Sequence, residues 1–461
     1  MALLVVILQA ITLLATVIGS RSGGCDGGMK KVILSLALGT FGLGMAEFGI
    51  MGVLTELAHN VGISIPAAGH MISYYALGVV VGAPIIALFS SRYSLKHILL
   101  FLVALCVIGN AMFTLSSSYL MLAIGRLVSG FPHGAFFGVG AIVLSKIIKP
   151  GKVTAAVAGM VSGMTVANLL GIPLGTYLSQ EFSWRYTFLL IAVFNIAVMA
   201  SVYFWVPDIR DEAKGKLREQ FHFLRSPAPW LIFAATMFGN AGVFAWFSYV
   251  KPYMMFISGF SETAMTFIMM LVGLGMVLGN VLSGRISGRY SPLRIAAVTD
   301  FIIVLALLML FFCGGMKTTS LIFAFSGRYS PLRIAAVTDF IIVLALLMLF
   351  FFGGMKTTSL IFAFFCCAGL FALSAPLQIL LLQNAKGGEL LGAAGGQIAF
   401  NLGSAVGAYC GGMMLTLGLA YNYVALPAAL LSFAAMSSLL LYGRYKRQQA
   451  ADSPVLAKPV G

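Results

Sequence analysis

Residues 32–54, VILSLALGTFGLGMAEFGIMGVL, form an apolar run in which Glu47 is the only ionisable side chain. A helix needs about 20 mostly apolar residues to cross the hydrocarbon core of a bilayer, so this run predicts a membrane-spanning helix. Runs of the same kind lie near 67–90, 98–115, 119–145, 153–178, 186–206, 230–257, 263–284, 293–313, 332–352, 358–383, 391–418 and 422–443. The pattern predicts an all-α polytopic membrane protein.

The composition of the whole chain supports this fold class. Of the 461 residues, 60% are hydrophobic and 9% are charged, whereas a soluble domain carries about a quarter charged residues. A single soluble core of this composition would leave too much apolar area facing water. The composition therefore excludes a cytosolic enzyme, a nucleic-acid-binding protein and a disordered scaffold. We also find no motif for a catalytic nucleophile, a metal site or an ATP-binding loop, and we expect neither enzyme activity nor a metal.

The net charge of +15 lies mainly in short breaks between the apolar runs. Lys and Arg residues cluster in alternate breaks, which contain Arg92 and Lys96; Lys146, Lys149 and Lys152; Arg210, Lys214, Lys216 and Arg218; Arg285, Arg289 and Arg294; and Arg444, Lys446 and Arg447. Because Lys and Arg accumulate in cytoplasmic loops, these breaks mark the cytoplasmic side. The longest polar segment predicts a cytoplasmic linker, and the predicted units are two six-helix halves at 29–207 and 230–443, the linker at 208–229 and a cytoplasmic tail at 444–461.

A tandem duplication and an N-terminal segment disturb this plan. Residues 287–325 recur at 326–364, and Phe352 in place of Cys313 is the only change. Since the repeated segment contains the ninth apolar run, we expect a bundle disturbed by a duplicated ninth helix. Residues 1–28 contain an apolar stretch without the preceding positive residues of a secretory signal. We interpret them as an N-terminal extension before Met29, with an extra helix as the alternative.

Four segments resemble the major facilitator superfamily, in its twelve-helix drug:proton antiporter group. They are GTFGLGMAEFGIMGVLTELA (39–58), RLVSGFPHGAFFG (126–138), GIPLGTYL (171–178) and SWRYTF (183–188). The resemblance implies the major facilitator fold with two six-helix halves and a location in the bacterial inner membrane. It also implies transport of a small molecule by alternating access, with the proton gradient as energy source and no cofactor. We expect a monomer in the lipid bilayer.

The loop after the second run departs from the family pattern G-x-x-x-D-R-x-G-R-[KR]. Ala87, Ser91 and Ser94 replace the first Gly, the Asp and the second Gly of that pattern. The charge-relay role that the resemblance implies for the Asp is therefore in doubt, although the neighbouring arginine can still bind carboxylates or the carbonyls at a helix C-terminus. The candidate gating residues are basic and lie in this loop or in the matching loop of the second half: Arg92, Lys96, Arg289 and Arg294.

Glu47 and Arg126 are candidates for proton coupling because an ionisable group within a span is costly without a partner. Counted from the outer ends of their runs, both side chains lie roughly 10 Å deep at 1.5 Å per residue. We therefore expect them to contact one another, either as a static ion pair or as a coupling pair. In the second case Glu47 would retain a proton in its apolar site and release it when the permanently charged Arg126 approaches.

The candidate substrate-contacting residues are polar or aromatic side chains expected to face a central cavity: Tyr74, His133, Asn168, Asn240, Trp246, Tyr249, Gln378, Gln397 and Asn401. For His133 we favour a hydrogen-bonded histidine inside the bundle over a contact with substrate. Small residues in the fifth run, Gly163, Gly171, Pro173 and Gly175, resemble the packing motif of the antiporters. They favour close helix packing, either at an interface between the halves or as the ordinary small-residue packing of a membrane bundle.

The sequence predicts a secondary transporter that exports a sugar, a sugar-derived compound or a drug-like compound in exchange for protons. The alternative is a membrane sensor or receptor that keeps the fold without transport, and the degraded loop after the second run leaves room for it. Counterflow of a labelled compound in liposomes distinguishes the two, because a sensor without transport would not exchange substrate.

We expect one copy of the duplicated segment to lie at the periphery of the bundle. If both copies crossed the membrane normally, the basic residues Arg444, Lys446 and Arg447 would be placed on the outer side, against the distribution of positive charge. Cysteine-accessibility mapping should therefore find one copy in the normal orientation and the other outside it. Normal insertion of both copies would contradict this expectation.

Overall fold

A computed structural model describes residues 27–89, 93–149, 152–210, 222–289, 331–385 and 389–451. These residues are almost entirely helical, and among them are twelve helices long and apolar enough to cross a membrane. The spans are α1 (Gly27–Val61), α2 (Ile65–Phe89), α3 (Leu95–Leu115), α4 (Tyr119–Ile147), α5 (Val153–Val166, Ala167–Gly171 and Ile172–Glu181), α6 (Trp184–Trp205), α7 (Pro227–Phe247), α8 (Met265–Arg289), α9 (Pro331–Phe352), α10 (Lys356–Asn384), α11 (Glu389–Thr416) and α12 (Ala425–Ala451). The predicted all-α polytopic fold is confirmed.

Serine residues begin several of these helices. Ser94, Ser118, Ser183 and Ser226 each accept a hydrogen bond from a backbone N–H in the first turn of α3, α4, α6 and α7. The first backbone N–H groups of a helix have no partner within the helix, and a serine hydroxyl supplies one. The short polar breaks between the apolar runs therefore specify where the next helix starts.

Proline residues shape the helices around the site. In α4 the helix is interrupted at Phe131, because Pro132 carries no N–H to continue the hydrogen-bond ladder. In α5 the π-helical turn Ala167–Gly171 directly precedes the segment that contains Pro173. The predicted run 230–257 is divided after Phe247, and the short helix Val250–Phe256 follows α7.

The two sets of six helices pack in the same order. In the first set α1 packs on α5 and α6, α3 on α4 and α6, and α2 on α4. In the second set α7 packs on α11 and α12, α9 on α10 and α12, and α8 on α10. This correspondence is the pattern expected for parallel repeats related by an axis along the membrane normal. The two sets meet where α2 packs on α11 and α5 packs on α8.

The second copy of the duplicated segment supplies α9. Residues Pro331–Phe352 occupy the place in the second set that α3 occupies in the first. Most of the first copy, including the predicted run 293–313, lies outside the described residues, as do residues 1–26 and residues 211–221 of the linker. Within the described residues the ninth helix is therefore regular, and the expected disturbance of the bundle does not extend to it.

Small residues allow α7 and α11 to approach closely. Gly403, Gly407 and Gly411 are spaced four residues apart on α11, and a Cβ atom at each would overlap a backbone carbonyl of α7. The carbonyls belong to Met237, Ala241 and Ala245, which have the same spacing. This arrangement is a small-xxx-small packing face, in which van der Waals contact between backbones stabilises the helix pair in lipid.

Gly407→Ala should destabilise the protein, because its methyl group would overlap the Ala241 carbonyl and force α7 and α11 apart. Overpacking of this kind costs about 1–3 kcal/mol. The melting temperature of the purified protein in detergent measures the effect. Gly138→Ala in α4 is the matched control, since a Cβ atom there meets nothing within 4 Å, and equal melting temperatures for the two variants would contradict the expectation.

Candidate functional site

Glu47 lies in a buried polar cluster within the first six helices. Its side chain is 4% exposed, and its Oε2 atom lies 3.6 Å from Nε2 of His133, which is fully buried on α4. The Nδ1 atom of His133 is 2.9 Å from the Tyr75 hydroxyl, and that hydroxyl also lies 3.3 Å from the Leu43 carbonyl. The cluster thus connects α1, α2 and α4, and His133 is a hydrogen-bonded member of it.

Arg126 ties the same three helices together through backbone carbonyls. Its Nη1 donates to the carbonyl of Ala46 at 2.6 Å, and its Nε donates to the carbonyl of Met71 at 3.2 Å. The guanidinium also lies 4.4 Å from the centroid of the Tyr75 ring, within the range of a cation–π contact. Arg126 therefore reaches the backbone next to Glu47, at the same level of the bundle.

The structure does not join Glu47 and Arg126 in the expected ion pair. The basic group within 4.0 Å of the Glu47 carboxyl is His133, and Arg126 is bound to carbonyl oxygens instead. Helix α4 turns at Phe131 and Pro132 between the two side chains, which brings His133 to the face that meets α1. The depths of the two groups were predicted from residue counts, but the choice of partner depends on rotation about the helix axis.

Three polar atoms of these side chains have no hydrogen-bond partner: Oε2 of Glu47, Nε2 of His133 and Nη2 of Arg126. Oε2 of Glu47 and Nε2 of His133 face one another at 3.6 Å, and neither has a partner. A buried carboxylate without hydrogen bonds is costly, whereas a neutral carboxyl group costs much less. The arrangement can therefore hold a proton at the Glu47 carboxyl, and a small shift of α1 against α4 would allow that proton to pass to the imidazole.

The predicted cavity residues of the second six helices serve partly as structural braces. Asn240 on α7 donates to the Phe400 carbonyl at 2.5 Å and to the Ser404 hydroxyl at 2.6 Å, both on α11. Tyr249, which follows α7, donates to the Ala408 carbonyl at 2.9 Å. These bonds fix α7 against α11.

Other predicted cavity residues keep unpaired polar atoms. Oδ1 of Asn168, Asn240 and Asn401 and Nε1 of Trp246 are buried without hydrogen-bond partners, and the amide of Asn401 donates only to the Gln397 carbonyl one turn away. Gln378 is exposed on α10, and Gln397 is partly exposed on α11. Tyr74 lies 3.3 Å from the Tyr119 hydroxyl and is partly exposed. The candidates are therefore distributed over both halves.

The glycine motif of α5 faces helices of its own half. A Cβ atom at Gly163 would overlap the Ala37 carbonyl on α1, and one at Gly171 would meet the Met45 side chain, also on α1. Gly175 faces Thr187 on α6, and Pro173 is buried after the π-helical turn. At the three glycines the motif therefore provides small-residue packing within the first half and not an interface between the halves.

A glycine that was not predicted from the sequence lies in the contact between α5 and α8. A Cβ atom at Gly273 on α8 would overlap the Asn168 carbonyl in the π-helical turn of α5. In the same interface, Nδ2 of Asn280 lies 3.5 Å from the Thr165 hydroxyl. The GxG pattern of Gly273 and Gly275 in an apolar run was the available signal.

An aromatic cluster between the halves was also missed. The Phe48 ring, adjacent to Glu47 in the chain, lies 6.0 Å from Phe244, 6.3 Å from Phe247 and 6.0 Å from Phe371, measured between ring centroids. Phe48, Phe244 and Phe247 are fully buried. Tilted aromatic rings at this separation attract one another beyond their buried area. The cluster therefore forms an apolar contact between the halves at the residue that follows Glu47.

An ionic cluster joins the outer ends of the two halves. The Lys251 ammonium group, fully buried in the short helix after α7, contacts the Glu56 carboxylate of α1 and lies 3.8 Å from Oε1 of Glu262, just before α8. Nearby, Gln180 of α5 donates to the Glu262 carbonyl at 2.6 Å and accepts from the Thr266 hydroxyl at 3.0 Å. All residues from Gly239 to Tyr253 are buried. The structure is therefore closed at its outer side.

The candidate gating residues of the cytoplasmic loops are only partly described. Nζ of Lys96 lies 4.9 Å from the centroid of the Tyr203 ring on α6. Arg289 is the last residue of α8, and Arg92 and Arg294 lie outside the described residues. In the part of the chain that the structure describes, no group of three His, Cys, Asp or Glu side chains could hold a metal ion.

Comparisons with known proteins agree with this architecture. A family model described as Major Facilitator Superfamily matches residues 36–327. AraJ of Escherichia coli (strain K12) is 90% identical over 433 residues, which cover 94% of this chain and 100% of that protein. The inner membrane transport protein YdhP of Escherichia coli (strain K12) is 30% identical over 419 residues, which cover 90% of this chain and 96% of that protein.

Two solved structures share the fold at low sequence identity. A single-residue mutant of the nucleoside transporter NupG superposes with a TM-score of 0.66 at 9% identity, over 89% of this chain and 99% of that chain. A bacterial homologue of the human lysosomal transporter Spinster, in an inward-facing and occupied conformation, gives a TM-score of 0.65 at 14% identity, over 91% of this chain and 98% of that chain.

Lys251→Met should weaken the closed outer side, because Glu56 and Glu262 would then repel one another across the two halves. We expect the outer-open population to rise about tenfold, which corresponds to about 1.4 kcal/mol. Spin labels at the exposed outer residues Asn60 and Ser261, introduced after replacement of the native cysteines, report the distance between the halves. Lys356→Met, which removes an exposed outer lysine beside the Phe260 ring, is the control, and an unchanged distance distribution in Lys251→Met would refute the role of the cluster.

Proposed function

The chain belongs to the major facilitator superfamily of membrane transporters, and we propose that it is a proton-coupled exporter of a small molecule. The substrate classes that we propose are sugars, sugar-derived compounds and drug-like compounds. We also propose that the protein resides in the bacterial inner membrane, the location that the name of the relative YdhP states for that protein. The buried Glu47 carboxyl beside His133, with its Oε2 atom unpaired, is the observation that carries the proposal.

The proposed coupling uses the neighbours of Glu47. When Glu47 holds a proton it is neutral, and the apolar surroundings of the carboxyl and the Phe48 cluster favour the closed outer side. When Glu47 loses the proton, the carboxylate needs solvation or a cation. The nearby cation, Arg126, is hydrogen-bonded to the carbonyl of the preceding residue. An ionised Glu47 therefore favours a rearrangement of α1 against α4. Substrate binding that favours one arrangement and proton binding that favours the other would couple the two fluxes.

The outer ionic cluster supports alternating access. Its contacts join α1 and α5 of one half to the outer ends of α7 and α8 of the other, so an outward opening must break them. The unpaired polar atoms of Asn240, Asn401 and Trp246, together with partly exposed Gln397, offer hydrogen-bonding groups to a substrate that enters from the inner side.

Glu47→Gln should abolish transport driven by a pH gradient, because an amide cannot release a proton at neutral pH. We expect a loss of more than about tenfold in gradient-driven flux, the factor equivalent to about 1.4 kcal/mol, while counterflow exchange is retained. The assay uses purified protein in liposomes, a panel of labelled pentoses and hexoses, the lipophilic cation ethidium, and a pH-sensitive dye in the lumen.

Glu181→Gln provides the matched control, since Glu181 is an exposed carboxylate at the outer end of α5. It should transport at the rate of the unmodified protein. Unchanged gradient-driven flux in Glu47→Gln would remove Glu47 from the coupling role. A flux that requires ATP and does not change when the proton gradient is collapsed would overturn the proposed function as a whole.

A further inference from the structure

A second carboxyl group is buried in the other half of the molecule. Asp339 lies on α9 with 0% of its surface exposed, and neither oxygen of its carboxyl group has a hydrogen-bond partner. At 1.5 Å per residue it lies roughly 12 Å along α9 from Pro331, within the span. The ionised form would be a bare charge in an apolar interior, which costs far more than the neutral acid. In this conformation the site therefore suits a bound proton.

The carboxyl group points toward α7 at a place where α7 has no side chain. A Cβ atom at Gly239 would come within 3.1 Å of Oδ1 of Asp339, within 3.3 Å of Leu373 and within 3.5 Å of Ala435. These neighbours, on α7, α10 and α12, are apolar. The absence of a side chain at Gly239 leaves room for the carboxyl group and makes it sensitive to the position of α7.

No basic side chain on the packed helices is positioned to neutralise Asp339. Helix α7 carries no ionisable residue, and none of the ion pairs within the described residues involves Asp339. On α10 the ionisable groups are Lys356, Cys366 and Cys367. On α12 and the turn before it they are Tyr421, Tyr423, Tyr442, Arg444, Tyr445, Lys446 and Arg447. Lys356 and the basic residues of α12 lie at the ends of their helices, and the two thiols are uncharged donors. Among the side chains that the structure describes on these three helices, no cation is placed to neutralise the carboxylate, and a bound proton would do so.

Helix α7 connects Asp339 to the parts of the molecule that must move. Asn240, next to Gly239, is bonded to α11, and four residues later Phe244 packs on Phe48 of the other half. The short helix that follows α7 carries Lys251 of the outer ionic cluster. Any displacement of α7 that opens the outer side would therefore also change the surroundings of the Asp339 carboxyl.

We propose that Asp339 is a second proton-binding site, which is protonated in the outer-closed conformation and releases its proton when α7 moves. On release the O–H bond of the carboxyl breaks, the proton passes to a water molecule that enters beside α7, and the carboxylate is solvated by that water. The proposal rests on the alternation between two conformations in the proposed function, but it does not depend on Glu47.

The experiment measures how the conformational equilibrium depends on pH, and it needs no substrate. Spin labels at Asn60 and Ser261 report the ratio of outer-closed to outer-open protein in nanodiscs. By linkage, each site that is protonated in only one conformation changes this ratio by up to about tenfold per pH unit. Two sites should together change this ratio by up to about a hundredfold per pH unit in the labelled protein that keeps both carboxyl groups.

Each carboxyl is then tested by an isosteric amide. Asp339→Asn and Glu47→Gln should each reduce the dependence to at most about tenfold per pH unit, and the double variant should show none. Asp208→Asn, at an exposed carboxylate, should behave like the parent protein. A parental pH dependence in Asp339→Asn overturns the assignment of Asp339, whereas a parental dependence in Glu47→Gln overturns only the role of Glu47.

A second variant guards against a folding defect. Asp339→Leu replaces the carboxyl by an apolar group in an apolar site, where it should be tolerated or stabilising. It should show the same reduced pH dependence as Asp339→Asn together with a melting temperature no lower than that of the parent. If both variants melt normally and keep the full pH dependence, Asp339 binds no proton in the conformational change.

Discussion

The guanidinium of Arg126 is a permanent charge inside a helical bundle, and the first half of the molecule is organised around it. The group cannot realistically lose its proton, and its surroundings offer backbone carbonyls of α1 and α2 in place of a carboxylate. Tyr75 covers it with an aromatic face and also reaches His133. The guanidinium binds the carbonyl of Ala46, so the next residue, Glu47, lies at the level of the charge but is not paired with it. In the proposed function, that separation leaves Glu47 free to exchange a proton.

The two halves share an architecture but place their buried acids differently. In the first half, the carboxyl of Glu47 faces the imidazole of His133 at 3.6 Å, and Arg126 binds the carbonyl of the preceding residue. In the second half, the carboxyl of Asp339 faces Gly239 and apolar side chains. Helix α7 carries Phe244, which packs on Phe48 of the aromatic cluster, and it leads into the short helix that carries Lys251 of the outer ionic cluster. Movement of one rigid helix can therefore influence the aromatic cluster, the outer ionic contacts and the second acid together.

The sequence predicted the spans and the fold well because the bilayer restricts the possible structures. Backbone groups in lipid must be bonded internally, so a run such as 32–54 has no alternative to a helix. The family resemblance of residues 39–58 and 126–138 added the helix order. The rest depends on rotation about each helix axis, which hydrophobicity does not encode in a bundle that is apolar on most faces. For this reason the sequence does not show that Arg126 binds carbonyls of α1 and α2, or that Gly163 and Gly171 face α1 within the first half. Lys251 was visible as a lysine within an apolar run, but its partners Glu56 and Glu262 are distant in sequence.

The duplication gives two nearly identical candidates for the ninth helix, and the second copy occupies that place in the structure. The two copies differ only at Cys313 and Phe352, so their intrinsic preferences for the ninth position are nearly equal. What differs is the connection: the second copy is joined to α10 by residues 353–355, and such a short turn favours antiparallel neighbours. Proximity along the chain therefore selects the copy that fills α9, and the residues of that copy, Asp339 among them, are the ones that contact α7.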